Sequence, residues 1–448
     1  MKISKIGWIA GFVIFCISIL RGDLFISAIG IGLVGISFFD FLYKIGREFP
    51  ILEMVLLLAV LQLILGPYFA YRLPVPYFRY RMYIPEIDYM AISVPSHLLL
   101  WAGLSIQPIS FNLKSLKLKI KEILVLNPNI GMHIIGVGVF SFFSRPFLPT
   151  SLGFLIYLST GLIYIGGLLY YFSENKKYRL LVYLCTIGVS FTEASLHGVF
   201  HDFLIWLIFG LTLILLNFSF KMHTKLLFFA LGFFFIIVLQ NVKAEYRSLI
   251  SSGHLTIRER MLTLFTSSNK VVYSIGENFT QRKLSELNVR LNQGWITSAI
   301  FFNVPSNVPF ENGKTIVAGI VNSFLPRVLF SDKKNSGGRE MYRLYTGIPI
   351  DDNTSMGIGL LGEAYVNFGY FAGVFLFLWG VLINRIIWSI YFFSQERNIV
   401  LFFMIPLIFN QVIKVETDMI TVLNHLVKAI IFTIIFYSFW LSNYKTKQ

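Results

Sequence analysis

The chain has 448 residues, 56% of them hydrophobic and only 14% charged, with a net charge of +15 and a mean hydropathy of +0.69. Apolar runs long enough to cross a bilayer core of about 30 Å recur along it, which excludes an ordinary soluble protein. The two-residue alternation of membrane barrels is absent, so helices are the expected spanning element, and the cationic excess reads as basic loops on one membrane face rather than nucleic-acid binding.

The start, MKISKIGWIAGFVIFCISILRGD, has a cationic front but no small-x-small cleavage site, and reads as an uncleaved first span. Further apolar runs predict twelve spans, at 6–20, 24–43, 50–71, 88–107, 131–148, 151–172, 180–196, 202–220, 225–242, 357–388, 399–413 and 420–441. With the N-terminus inside, the inner loops collect Lys2, Lys5, Lys44, Arg47, Lys176, Lys177, Arg179, Lys221 and Arg397, so both termini are expected in the cytoplasm. Cys16 and Cys185 sit within apolar runs and imply neither a disulfide framework nor a metal site. Arg72, Arg79, Arg81 and Arg145 fall on the outer side. They point either to a misplaced span boundary or to side chains that face lipid phosphates or a substrate.

Between spans four and five, FNLKSLKLKIKEILVL places its lysines and its Leu and Ile on separate sides, as in a helix lying on anionic membrane lipid. Residues 243–356 form one outer connection that dwarfs the others and holds fourteen Lys and Arg against nine Asp and Glu. A loop of this length is expected to carry its own helices and a function. The expected fold is therefore all-α: a polytopic membrane bundle of about twelve helices, organised as 1–242, an external loop 243–356, and 357–448.

Within that loop, FLPRVLFSDKKNSGGREMYR crowds five cations into residues 324–343. Arg258, Arg290, Arg327, Arg339 and Arg343 are candidates for holding an anion, because guanidinium keeps its charge and matches phosphate with a planar fork. A close charge pair of this kind contributes about 4 kcal/mol before desolvation. Gly337 and Gly338 bring backbone N–H groups within reach of phosphate oxygens, or simply form a turn. Acid–base candidates are Glu193, His197, His201, Asp202, Asp351, Asp352 and Glu363. The stretch FTEASLHGVFHDF spaces Glu193, His197 and His201 four apart, which suits a polar cluster better than zinc, since no zincin glutamate accompanies the histidines. Glu363, where the chain returns to apolar sequence, needs a partner, and Arg339 or Arg343 is the expected one. The pairs Glu86/Asp88 and Glu416/Asp418 read as solvated loop ends.

A dozen spans, one large late outer loop, the LPRVLFSDK segment and the glycine-rich GLLGEAYVNFGYFAG together resemble the Wzy-type O-antigen and exopolysaccharide repeat-unit polymerases. The family's arginine-x10-glycine spacing is matched by Arg327 and Gly338, whereas its Ser-Arg-Gly-like turn has no arginine here. The resemblance implies a bacterial cytoplasmic-membrane glycosyltransferase that uses neither metal nor cofactor. Its donor would be an oligosaccharide on undecaprenyl diphosphate, and a chain-length regulator would be a partner. Read with the inventory of charged residues above, that chemistry puts Arg327, Arg339 and Arg343 on the diphosphate, with Arg258, Arg290, Gly337, Gly338 and Glu363 in support, and leaves the proton acceptor open among His197, His201 and Asp352. An O-antigen ligase-type transferase and a flippase for lipid-linked sugars remain as alternatives.

Overall fold

Ser4 starts the first helix by accepting the Gly7 N–H on its hydroxyl, and Asn112 does the same for Ser115 N–H at the start of the amphipathic helix. The structure, a computed structural model, describes residues 1, 3–75, 77–107, 112–173, 177–197, 200–235, 259, 281–324, 338–352, 354 and 356–444. Among the described residues the regular elements are helices alone. They are α1 (Lys5–Leu20), α2 (Phe25–Lys44), α3 (Ile51–Ala70), α4 (Glu86–Leu104), α5 (Leu113–Leu126), α6 (Ile130–Ser144), α7 (Gly153–Phe172), α8 (Arg179–His197), α9 (His201–Ile214) and α10 (Met222–Phe235). After a long connection come α11 (Gln281–Leu291), α12 (Gly294–Asn303), α13 (Lys314–Phe324), α14 (Arg339–Thr346), α15 (Gly359–Phe368), α16 (Ala372–Glu396), α17 (Val400–Phe403), α18 (Ile405–Phe409) and α19 (Met419–Phe439).

Among the described residues, six segments are long and apolar enough to cross a membrane: Phe25–Lys44, Ile51–Ala70, Ile130–Phe147, Gly153–Phe172, Gly359–Glu396 and Met419–Asn443. Shorter apolar helices, including Lys5–Leu20 and His201–Asn217, pack beside them. The chain is thus an all-helical membrane protein. Helix α1 runs along α2, α6 along α7, α16 along α4, and α13 along α19. Outward-facing Trp8, Ile9, Phe12 and Leu20 on α1 and Val374, Leu378 and Leu382 on α16 stay exposed, as lipid-facing positions do.

Two predicted spans are interrupted. The run expected at 399–413 is not one helix but the short α17 and α18, because Pro406 lacks the N–H that would continue the ladder. Its residues from Val400 to Asn410, apart from the half-buried Leu401, are buried, so the irregular backbone is shielded by protein. The run expected at 357–388 breaks at Gly369, whose φ of +56° is left-handed and separates α15 from α16.

Ion pairs mark both ends of the bundle. At one end, Lys44 meets Glu53 at 2.5 Å and Asp40 at 3.2 Å, and Lys225 donates to Leu42 O (2.9 Å), Tyr43 O (3.2 Å) and Ile45 O (2.6 Å) at the C-terminus of α2. At the other, Arg72 bridges Asp23 (2.7 Å) and Glu86 (3.0 Å). Burial opposes ionisation of Asp23, yet hydrogen bonds from Ser18, Tyr68 and Arg72 hold its carboxyl below the usual range. Glu86 is therefore not a solvated loop end, and the outer arginines have partners within the protein. Arg79 donates to Pro349 O at 3.1 Å and Arg81 stacks over Phe78 at 3.5 Å.

Helices α12 and α13 lie within the stretch expected to form an external loop with helices of its own, and both pack against other helices. Every residue of α12 except Phe302 is buried, and α13 lays Ile316, Gly319 and Ser323 on α19.

Candidate functional site

A single π-helical turn at Leu61–Leu65 of α3 prepares the place where α12 enters. The turn draws the Gly66 N–H to Leu61 O, and Pro67 has no N–H to give, so the Gln62 and Leu63 carbonyls are left for other donors. Gln62 O accepts the Gln293 N–H at 3.1 Å, and Leu63 O accepts the Tyr89 hydroxyl at 3.0 Å and the Ser93 hydroxyl at 2.9 Å. Gly66 and Gly294 allow the close approach: a Cβ at 66 would lie 2.6 Å from Asn292 Cα, and one at 294 would lie 2.2 Å from Pro67 Cγ. Buried Trp295 on α12 then packs against Tyr80 and Tyr342, which seats α14 on the bundle.

Helix α14 presents two guanidinium groups. Arg343 Nη2 donates to Asp352 Oδ1 at 3.0 Å, and Arg339 Nη1 lies 3.6 Å from the same oxygen. Further donations run from Arg339 to Asp352 O and from Arg343 to Ile350 O. Both arginines remain more than a third exposed. Beneath them Tyr342 is fully buried, and burial pushes its phenol up to about 12. The start of α14 rests on the loop before α19: a Cβ at Gly338 would fall 2.4 Å from Met356 O and 2.5 Å from Asp418 Oδ2. Gly338 is therefore required by packing. Asp418 accepts the Ile358 N–H at 2.6 Å, and burial pushes its carboxyl up to about 6.

Through Lys414 the loop 410–418 also holds Asp202, which lines a cavity of about 190 Å³ among α7, α8 and α9. Arg145, Tyr157, Thr160, Tyr164, Ser190, Glu193, Asp202 and Trp206 line it. Lys414 Nζ donates to Asp202 Oδ1 at 2.6 Å, Arg145 Nη1 lies 3.5 Å from Glu193 Oε1, and His201 Nδ1 lies 3.4 Å from Glu416 Oε1. The rings of Tyr164 and Trp206 meet with centroids 4.6 Å apart. Such a lining offers donors, acceptors and aromatic faces to a polar ligand.

Of the residues singled out from the sequence, Arg339, Arg343 and Asp352 come together, and Glu193, His201 and Asp202 gather at or beside the cavity. Arg258, Arg327 and Gly337 lie outside the described residues, while Arg290 and His197 are described as positions on α11 and α8. Glu363 does not pair with Arg339 or Arg343, which are held by Asp352. Its Oε2 accepts the Met419 N–H at 2.7 Å and its Oε1 the Thr315 hydroxyl at 2.8 Å. Glu416 and Asp418 are likewise not solvated ends, since one faces His201 and the other is buried. Sequence reasoning passed over Lys414, Tyr157, Tyr164 and Trp206. The signal for Lys414 was a lysine in NQVIKVETD, directly after an apolar run.

No curated protein matches this chain, and no solved structure matches it. Residues 96–390 match the family described as "Domain of unknown function (DUF8712)", and the chain belongs to that family.

Proposed function

We propose that this protein is a membrane glycosyltransferase that polymerises undecaprenyl-diphosphate-linked oligosaccharide repeat units at the outer face of a bacterial cytoplasmic membrane. In this reading the chain crosses twelve times, counting interrupted passes, with both termini in the cytoplasm. The observation that carries it is the pair Arg339 and Arg343, fixed by Asp352 on a short helix whose start packs on the loop that also holds Asp202 in the lining of a polar, aromatic cavity.

The chemistry is a displacement at a sugar carbon. An acceptor hydroxyl oxygen attacks the anomeric carbon, and the bond from that carbon to the diphosphate oxygen breaks. Undecaprenyl diphosphate leaves with the electron pair, and the hydroxyl proton passes to a base. Charge builds on the leaving oxygens, so fixed guanidinium groups stabilise the transition state more than the ground state. Partial exposure of both arginines leaves them accessible to a lipid diphosphate at the membrane rim. Transfer to a different acceptor, as in a ligase, uses the same donor chemistry. A flippase reading draws on the interrupted, buried α17–α18, since discontinuous helices mark many transporters.

Reconstitution with purified lipid-linked repeat units is the test. A ladder of elongated products, formed without nucleotide sugar or metal, supports the polymerase. Single additions only, or movement of lipid-linked units across the bilayer with no new glycosidic bond, overturn it in favour of a ligase or a flippase.

A further inference from the structure

We propose that the cavity among α7, α8 and α9 is a subsite for one neutral sugar ring, the terminal residue of the glycan acceptor. This rests on the glycosyl-transfer reading and assigns the acceptor to a place apart from the guanidinium pair.

Size is the first argument. At about 190 Å³ the cavity is smaller than the pockets that enclose drug-sized ligands, typically 300–1,000 Å³, and suits a single ring. Chemistry is the second. A pyranose has an apolar C–H face and a rim of hydroxyls that both donate and accept. The Tyr164–Trp206 pair supplies flat apolar surface, while Glu193 and Asp202 accept from hydroxyls and Thr160 and Arg145 donate. A site for water alone would leave the aromatic surface without a use.

Order is the third argument. Lys414, whose side chain is 8% exposed, holds Asp202 at 2.6 Å, so this carboxylate is placed before any ligand arrives. Charge then selects the ligand. Asp202 is matched by Lys414 and Glu193 faces Arg145 at 3.5 Å, so the carboxylate of a uronic acid would give up its hydration for cations already matched, a cost that a neutral or N-acetylated sugar does not meet. Position is the last argument. Lys414 and Asp418 belong to one short loop, and the start of the arginine-bearing α14 packs on Asp418, so sugar subsite and guanidinium pair share a scaffold.

The test uses the full-length protein in lipid nanodiscs and saturation-transfer NMR with the methyl glycosides of glucose, galactose, N-acetylglucosamine, N-acetylgalactosamine and glucuronic acid. At least one neutral glycoside is expected to receive saturation, with the glucuronide at least about tenfold weaker. Ala194→Leu, which narrows the cavity, and Glu193→Gln, which keeps its shape, should each weaken the signal about tenfold. Inorganic diphosphate binding, followed by phosphorus NMR, should stay unchanged in both variants, which also reports that they are folded. No saturation of any probe, equal binding of the glucuronide, or wild-type signals in both variants overturns the subsite. Sugar binding without elongation of lipid-linked units leaves the subsite standing and removes the polymerase reading. Elongation at the wild-type rate by Ala194→Leu with no sugar signal does the reverse.

Discussion

Glu363 Oε2 accepts the backbone N–H of Met419 at 2.7 Å, so a completely buried carboxylate on α15 completes the first turn of α19. The same side chain takes the Thr315 hydroxyl at 2.8 Å, and Thr315 in turn accepts from Asn367 Nδ2 at 2.7 Å. One carboxylate thus ties α13, α15 and α19 together. Replacing it with leucine strands the buried Met419 N–H, at a cost of about 1–3 kcal/mol, and the half-buried Thr315 hydroxyl, at a smaller one. Glu363→Leu should therefore lower stability by about 2–4 kcal/mol, and Glu363→Gln, which keeps one acceptor, by about half of that. Unfolding in detergent, followed by circular dichroism, measures both, and an unchanged midpoint for the leucine variant rejects the clasp.

Asp418 gives the protein a pH dependence of definite sign. Its carboxyl lies in the loop before α19, and burial raises it from 3.8 in the unfolded chain to about 6 in the fold. The folded state therefore holds the proton more tightly, and this contribution is complete below the unfolded value and disappears as pH rises through about 6. Stability should fall by about 2–3 kcal/mol between pH 4 and pH 7 on account of this group. Asp418→Asn should flatten that slope, and equal slopes for the two proteins would rule the assignment out.

The seating of α12 depends on two glycines. Gly66→Ala and Gly294→Ala each force a Cβ into contacts closer than 3.0 Å, so each should cost about 1–3 kcal/mol and expose residues 281–303 to limited proteolysis. Gly319→Ala is the control. Its Cβ would meet Ile420 at 3.4 Å, an ordinary contact, and it should digest like the parent. Identical cleavage patterns for all three would show that α12 is held some other way.

Loss of the Arg343 guanidinium should be severe for product formation. Removing one preorganised donor from a transition-state charge typically costs a factor of about 100 to 1,000. Arg343→Ala should lose elongation by about that factor while inserting in membranes normally. Arg343→Lys should recover only part, because an ammonium keeps the charge but cannot grip a diphosphate with two parallel donors as the planar guanidinium does. Wild-type ladders from Arg343→Ala would take this residue out of the reaction.

Lys225 caps α2 from a distant part of the chain by donating to three carbonyls at its C-terminus. Lys225→Met retains the apolar stem and removes the donors, so it should destabilise by about 1–3 kcal/mol. Thermal unfolding in the same detergent reads it, and no loss would mean that other groups satisfy those carbonyls.

The helical class and the membrane character were legible in composition, because a bilayer demands apolar length and internal backbone hydrogen bonding wherever the chain crosses. Interruptions were less legible. Pro406 and Gly369 were visible as residues, but hydropathy averages over about a full span and cannot register a break inside an apolar run. The burial of α12 was hidden for a related reason: GWITSAIFFN is too short to read as a span, and its seat depends on the π-turn of α3 and on the close approach at Gly66 and Gly294.

Side-chain partners lay further out of reach. Opposite charges in sequence propose many pairings, and Glu363 with Arg339 or Arg343 was a reasonable one. Yet Asp352 lies only 9 residues from Arg343 and captures it, while Glu363 meets a backbone N–H 56 residues away. Apolar length and the bias of basic residues are sums along the chain, and the sequence alone determined an all-helical membrane protein through them. Which carboxylate meets which donor, and where a cavity stays open, depends on distances across helices far apart in sequence, so only the tertiary structure decided the clasp, the guanidinium pair and the cavity held by Lys414.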